Sequence, residues 1–304
     1  MAPGLKSLAA LAAAAAMVGA AILGRGALDT KKGRDDLRLT VACDPAARAF
    51  CEAAAGADPR LTIKVESPEV TTKRLRDLAD GARPDIQAWV SLGPWLQMAD
   101  GRRVGPAPLQ REVRPVASTP LVLVTRLGQN LGSCGKPPAG CLPLPSNRVG
   151  LPSPKSSGIG LAGLAQIVLA RTGTAAADLD RSALESGEGA AVIDALSKAT
   201  DPRAGFEQLN AGFSQANPLV NIKAAAAPAA GRASVIPSEP AVRVVLQVGI
   251  LDEAAIQPLS GGEAAGRALA KAATDAGWEA PGPLAGGLPD PGVLAALQDA
   301  WRGP

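Results

Sequence analysis

The sequence predicts an α/β chain of two lobes, and three observations carry this reading. Strand patterns alternate with helical ones from Leu37 to Val90, the alternation restarts after Val116, and an uncharged apolar run from Ser7 to Gly24 precedes both. Strands that alternate with helices imply a largely parallel sheet.

Each element has its own warrant. The apolar run follows Lys6, is about as long as the hydrocarbon core is thick, and leads to Arg25, Lys31, Lys32 and Arg34. Residues 1–28 therefore read as a cleaved signal peptide or a retained membrane anchor, and both readings stay open because the basic distal flank weakens the topology argument. Leu37 to Ala42 alternates as a strand, and Asp44-Pro45 opens a helical stretch. Leu61 to Val65 reads as a strand, Thr71 to Asp80 as a threonine-capped helix, and Asp85 to Val90 as a third strand. Val116 to Thr125 is a strand interrupted at Ser118-Thr119-Pro120. Arg148 to Leu151 leads through Ser153 into a helix from Gly158 to Arg171, followed by helices from Ala190 to Lys198 and around Phe206, and a polar loop at Ser214 to Asn217. Ala224 to Ala230 is of low complexity. Ala233 to Pro237 reads as a returning strand, Glu239 to Val248 as a helix, Ala255 to Leu259 as a strand, and Ala264 to Ala276 as a helix. The lobes are thus 37–119 with 234–280, and 120–233. A Gly/Pro-rich tail, 281–304, ends in an amphipathic helix whose Leu294, Leu297 and Trp301 either dock on the domain or await a partner.

Composition narrows the function. The chain has no histidine, which excludes a Ser-His-Asp triad, a Cys-His dyad and any His-built zinc site. Lys155 does not stand at Ser-x-x-Lys spacing from Ser153, so an enzyme is not expected. A net charge of +3, with acids and bases interspersed, offers no footprint for nucleic acid. Gly158-x-Gly160-x-x-Gly163 matches a dinucleotide fingerprint in form alone, because it lies inside an apolar helix pattern. Neither cofactor nor metal is expected.

Four cysteines fall in two close pairs, Cys43 with Cys51 and Cys134 with Cys141. An even count downstream of an export signal points to two local disulfides; a four-thiolate metal site is the alternative, disfavoured by the spacing.

Several segments, taken in order, carry a resemblance. They are Arg83-Pro84-Asp85-Ile86-Gln87-Ala88-Trp89 followed by Trp95, then Val116-Ala117-Ser118-Thr119-Pro120-Leu121-Val122, then Gly150-Leu151-Pro152-Ser153 with Ser156, Gly158, Gly160 and Leu164. Ile236-Pro237-Ser238-Glu239 and Gly277-Trp278 complete the set. Together they resemble the bacterial extracellular solute-binding domains of the type II periplasmic-binding fold. The likeness is greatest to an actinobacterial group in which the domain follows a membrane segment and often precedes a von Willebrand factor A domain. The resemblance implies a two-lobed type II periplasmic-binding-protein-like fold with mixed sheets, preceded by the N-terminal apolar helix. It also implies an extracytoplasmic protein, membrane-anchored or secreted, that closes on a small ligand for transport or sensing.

In such a cleft, strand ends and helix starts supply the binding groups, and unpaired N–H groups there suit an anion. Asp44, Ser91, Ser118, Ser153, Ser156 and Ser157 occupy these positions, with Lys155 as a charge partner; the competing reading makes each a cap or turn residue. Trp89 reads as core, and Trp95 as core or cleft. The expected partners are the small-molecule ligand, the membrane through the N-terminal segment, and a transporter. A second reading makes the chain an interaction module whose tail docks a von Willebrand factor A-domain protein.

Overall fold

The computed structural model describes residues 38–303 except 79–81, 102–111, 129–130, 132–133, 135, 144–147, 202–217, 227–232, 238 and 284–286. The expected apolar N-terminal helix, the helix around Phe206 and the loop Ser214 to Asn217 lie outside the described residues.

The first lobe begins with β1 (Leu39–Cys43), which ends where Asp44 caps a 3-10 turn over Pro45–Ala47. α1 (Arg48–Ala57) follows and buries Phe50, Cys51 and Ala54 along one stripe. β2 (Leu61–Val65) lies parallel to β1. α2 (Pro68–Arg76) begins a turn earlier than Thr71, because Ser67 accepts from the Val70 N–H and Pro68 takes the first helical position. That pairing outranks a lone threonine as a start signal. Thr71 is buried within the helix and donates to Glu66 at 2.6 Å. β3 (Ala88–Leu92) is parallel to β1 on its other side, and α3 (Trp95–Gly101) follows it after Gly93-Pro94.

β4 (Glu112–Arg126) is the long strand that joins the lobes, continuous through Pro115 and Pro120 apart from an irregularity between Pro115 and Ala117. The second lobe contains β5 (Val149–Gly150), α4 (Gly158–Thr172), α5 (Arg181–Glu185), α6 (Gly187–Ala199), β6 (Thr200–Asp201) and β7 (Leu219–Ile222). One helical turn, α7 (Lys223–Ala226), takes up part of the low-complexity stretch. β8 (Ala233–Pro237) pairs with the second half of β4, so the chain leaves the second sheet after Pro237.

β9 (Arg243–Ile250) replaces the helix expected over Glu239 to Val248. Its valines and leucine are buried on both faces, since β9 lies between β3 and β4, and such a continuous apolar run carries no period that separates strand from helix. β-branched Val244, Val245 and Val248 favour the strand once it is central. The strand expected at Ala255 to Leu259 is instead a 3-10 turn, Glu253–Ala255, capped by Asp252, and turns leading to α8 (Ala264–Asp275). α9 (Pro291–Ala300) closes the described chain.

The strand order is β2-β1-β3-β9-β4-β7-β5-β6, with β8 also on β4. β1, β2 and β3 are mutually parallel, whereas β9 runs antiparallel to both β3 and β4. The sheet is therefore mixed rather than largely parallel. The first half of β4 pairs with β9 and its second half with β7 and β8, so one strand belongs to both lobes.

α1 and α8 pack on one face of the first sheet, where Phe50 meets Trp278 edge to face at 5.8 Å. On the opposite face Ala42, Leu75, Trp89, Trp95 and Leu96 form a separate core under α2 and α3. In the second lobe α4 is buried on nearly every side from Gly158 to Ala170. Its glycines serve close packing rather than phosphate binding: a Cβ at Gly160 would strike the Pro152 carbonyl, and one at Gly163 would strike Val220 and Leu151. Both cysteine pairs are disulfides, Cys43–Cys51 tying the end of β1 to α1 and Cys134–Cys141 closing the loop after β4.

Candidate functional site

Two strand ends and one helix start converge where the lobes meet. Asp44 follows β1, Ser91 lies in β3, and the loop Ser153 to Ser157 leads into α4. The lobes touch directly at this point, since a Cβ on Gly158 would lie 2.7 Å from the Leu92 carbonyl.

Asp44 and Ser91 are brought together. The Ser91 hydroxyl donates toward the Asp44 carboxylate at 3.5 Å, and Asp44 also accepts from the Ala46 N–H at 3.0 Å and from the Leu92 backbone. Asp44 is only 3% exposed. Burial disfavours its charge more than these donors favour it, and its pKa rises from 3.8 to about 6. Asp44 is thus a cap residue as well as a strand-end acid.

Ser157 is likewise a cap, accepting from the Gly160 N–H at 3.3 Å at the start of α4. The Ser153 carbonyl accepts from the backbone N–H groups of both Ser156 and Ser157, which fixes a tight turn with Lys155 exposed on its outside. Ser118 is engaged elsewhere. Its hydroxyl donates to the Ala280 carbonyl at 2.9 Å and accepts from the Arg243 guanidinium at 3.0 Å, while Arg243 also pairs with Glu279. The Arg243 hydrogen bond holds the Glu279 carboxyl below its ordinary range. Ser118 fastens the segment after α8 to β4.

Beside this junction lies a cavity of about 350 Å³ lined by Thr72, Lys73 and Arg76 of α2, Trp95 of α3, Lys155 of the second lobe, and Gln298 of α9. Glu69 and Asp299 add carboxylates to its wall. Thr72 and Trp95 are buried, and among the described residues the Thr72 hydroxyl and the Trp95 indole N–H have no hydrogen-bond partner. Buried polar groups are nearly always paired, and these two unpaired groups belong to residues that line the cavity. Cations therefore reach the cavity from both lobes.

The sequence profile of the bacterial extracellular solute-binding proteins matches residues 38–279. The chain belongs to that family. As a family member it is extracytoplasmic, and its relatives are binding proteins rather than enzymes. The structure is similar to the periplasmic binding protein AfuA from Actinobacillus pleuropneumoniae with exogenous fructose-6-phosphate bound, at a TM-score of 0.59 and 12% identity, covering 87% of this chain and 95% of that one. It is also similar to a periplasmic thiamin binding protein, at a TM-score of 0.56, 14% identity and the same coverages of 87% and 95%. A third likeness is to the periplasmic binding protein P5PA, at 0.53 and 13%, covering 86% and 95%. At these identities the likeness establishes the shared two-lobed fold. No curated protein matches the sequence.

Within this solute-binding fold, the sequence reading anticipated Lys155 and left Trp95 open between core and cleft; Trp95 is fully buried and also lines the cavity. It missed Thr72, Lys73, Arg76 and Gln298. The part of the α2 residues in the cavity depends on packing against Lys155 and α9, which are distant in sequence. Gln298 did leave a signal, because it falls one turn after Leu294 on the apolar stripe. The stripe itself is docked: Leu294, Leu297 and Trp301 are buried as α9 packs on α3, α4 and α5.

Proposed function

We propose that this family member binds a small oxyanion-bearing solute in the cavity between α2, α3 and the Lys155 loop, and releases it by opening the lobes about β4 and β9. The observation that carries the reading is the orphaned pair of buried donors, Thr72 hydroxyl and Trp95 indole, on a wall that Lys155 faces from the other lobe. An anion would accept from both donors while Lys73, Arg76 and Lys155 balance its charge, and charge-assisted hydrogen bonds are the stronger kind. Ser153 and Ser156 stand at the loop entry as direct contacts, whereas Asp44 and Ser157 act through their caps and Ser91 through its bond to Asp44. β4, which runs through both sheets, and the start of β9 beside it form a natural hinge for closure.

The apolar run at residues 7–24 directs export and either tethers the chain or is removed. A membrane transporter is the partner that takes the solute from the closed form. A von Willebrand factor A-domain protein would have to engage a surface other than the buried stripe of α9.

Thermal shift and calorimetric titration with sulfate, phosphate, phosphorylated sugars, neutral sugars and amino acids test the reading. A saturable rise in melting temperature with an oxyanion, lost in Lys155→Glu, is expected. Binding of a neutral sugar with no oxyanion response, or silence across the panel, overturns it.

A further inference from the structure

α9 lies beyond residues 38–279, the segment matched by the family, yet it touches both lobes: it packs on α3 in the first and on α4 and α5 in the second. Its buried stripe contains one polar side chain, Gln298, which is 6% exposed. A buried amide is costly unless it is bonded. The Gln298 amide nitrogen donates to the Pro154 carbonyl at 3.2 Å and to the Lys155 carbonyl at 3.3 Å. Those two carbonyls belong to the turn that presents Lys155 to the cavity, and Gln298 itself lines that cavity.

We propose that Gln298 is a positioning residue for solute binding. By holding the backbone of Pro154 and Lys155 it sets the second-lobe cation opposite the Thr72 and Trp95 donors, and α9 references that turn to α3, the helix that begins at Trp95. An ordered loop loses less freedom when the solute binds, so its affinity is higher. The proposal rests on the solute-site reading given above.

The test uses the purified chain, Gln298→Met, Gln298→Glu, Lys155→Ala, and Lys155→Ala combined with Gln298→Met. Hydrogen exchange across residues 153–160 is read without any anion, and sulfate and phosphate affinities are read by calorimetry. In both Gln298 variants the Ser156 and Ser157 amides are expected to exchange about tenfold faster while α8 keeps its wild-type protection. Sulfate affinity falls about tenfold in Gln298→Met but by less than about twofold when Lys155 is already alanine, the mark of a residue acting through another. Unchanged exchange in the turn, or additive losses in the double variant, overturns the positioning role even where sulfate binds. If neither anion binds the wild type, the solute-site reading fails and takes the proposal with it. The exchange difference then shows whether the physical tie between Gln298 and the turn survives that failure.

Discussion

The Ser91 hydroxyl stands 3.5 Å from the Asp44 carboxylate at the ends of two adjacent strands, sealed where the lobes meet. Its consequence is a pH dependence. The folded-state pKa of Asp44, about 6, lies above its ordinary 3.8, so between those values the folded chain binds more protons than the unfolded one. Stability from this group therefore falls as pH rises from about 4 to 6 and is level above about 7. Relative to Asp44→Asn, the wild type should gain about 3 kcal/mol over that interval on acidification, on the order of the shift at 1.36 kcal/mol per unit. Urea unfolding of both proteins at a series of pH values checks this, and a gap that stays constant refutes it.

Thr72→Val should separate stability from binding. The substitution keeps the shape and removes a buried hydroxyl that has no partner among the described residues. Stability should hold or rise by up to about 1 kcal/mol, because an unsatisfied group is lost. Sulfate affinity should fall about tenfold if that hydroxyl binds the anion, as calorimetry will read.

Gly158→Ala should prise the lobes apart. The added methyl would stand 2.7 Å from the Leu92 carbonyl of the other lobe. A loss of about 1–3 kcal/mol is expected from overpacking, together with a larger radius of gyration in small-angle scattering. Destabilisation without expansion would place the strain within the second lobe.

Replacing Cys43 and Cys51 together by alanine opens a bridge with a sequence separation of 8. Loop-closure entropy predicts a loss of about 2–3 kcal/mol. Reduction also opens the Cys134–Cys141 bridge, so reduced wild-type chain should unfold at nearly the same urea midpoint as the reduced double variant.

Most of the architecture was legible because most strands and helices carry their own periods in the sequence. β1 alternates, α8 shows an amphipathic stripe, and both cysteine pairs announced their bridges by proximity. β9 was not legible: a strand buried on both faces has neither alternation nor a stripe, and Glu239 before Val242 imitates a helix start. The candidate site was legible only near the ends of elements: Asp44 follows β1, Ser91 lies near the end of β3, and the Ser153 turn precedes α4. Thr72, Arg76 and Gln298 sit inside helices, where their part in the cavity depends on packing against segments far away in sequence. Ser118 had the right address at a crossover, but its hydroxyl is taken by Ala280 and Arg243.

β9 fills the gap between β3 and β4, although it is the last strand to leave the ribosome. Until it arrives, β3 and the first half of β4 have no common neighbour, and the first lobe is an open sheet with a bare edge. Such distant pairings form slowly. For an extracytoplasmic chain that crosses the membrane unfolded, the first sheet therefore cannot close until β9 has followed.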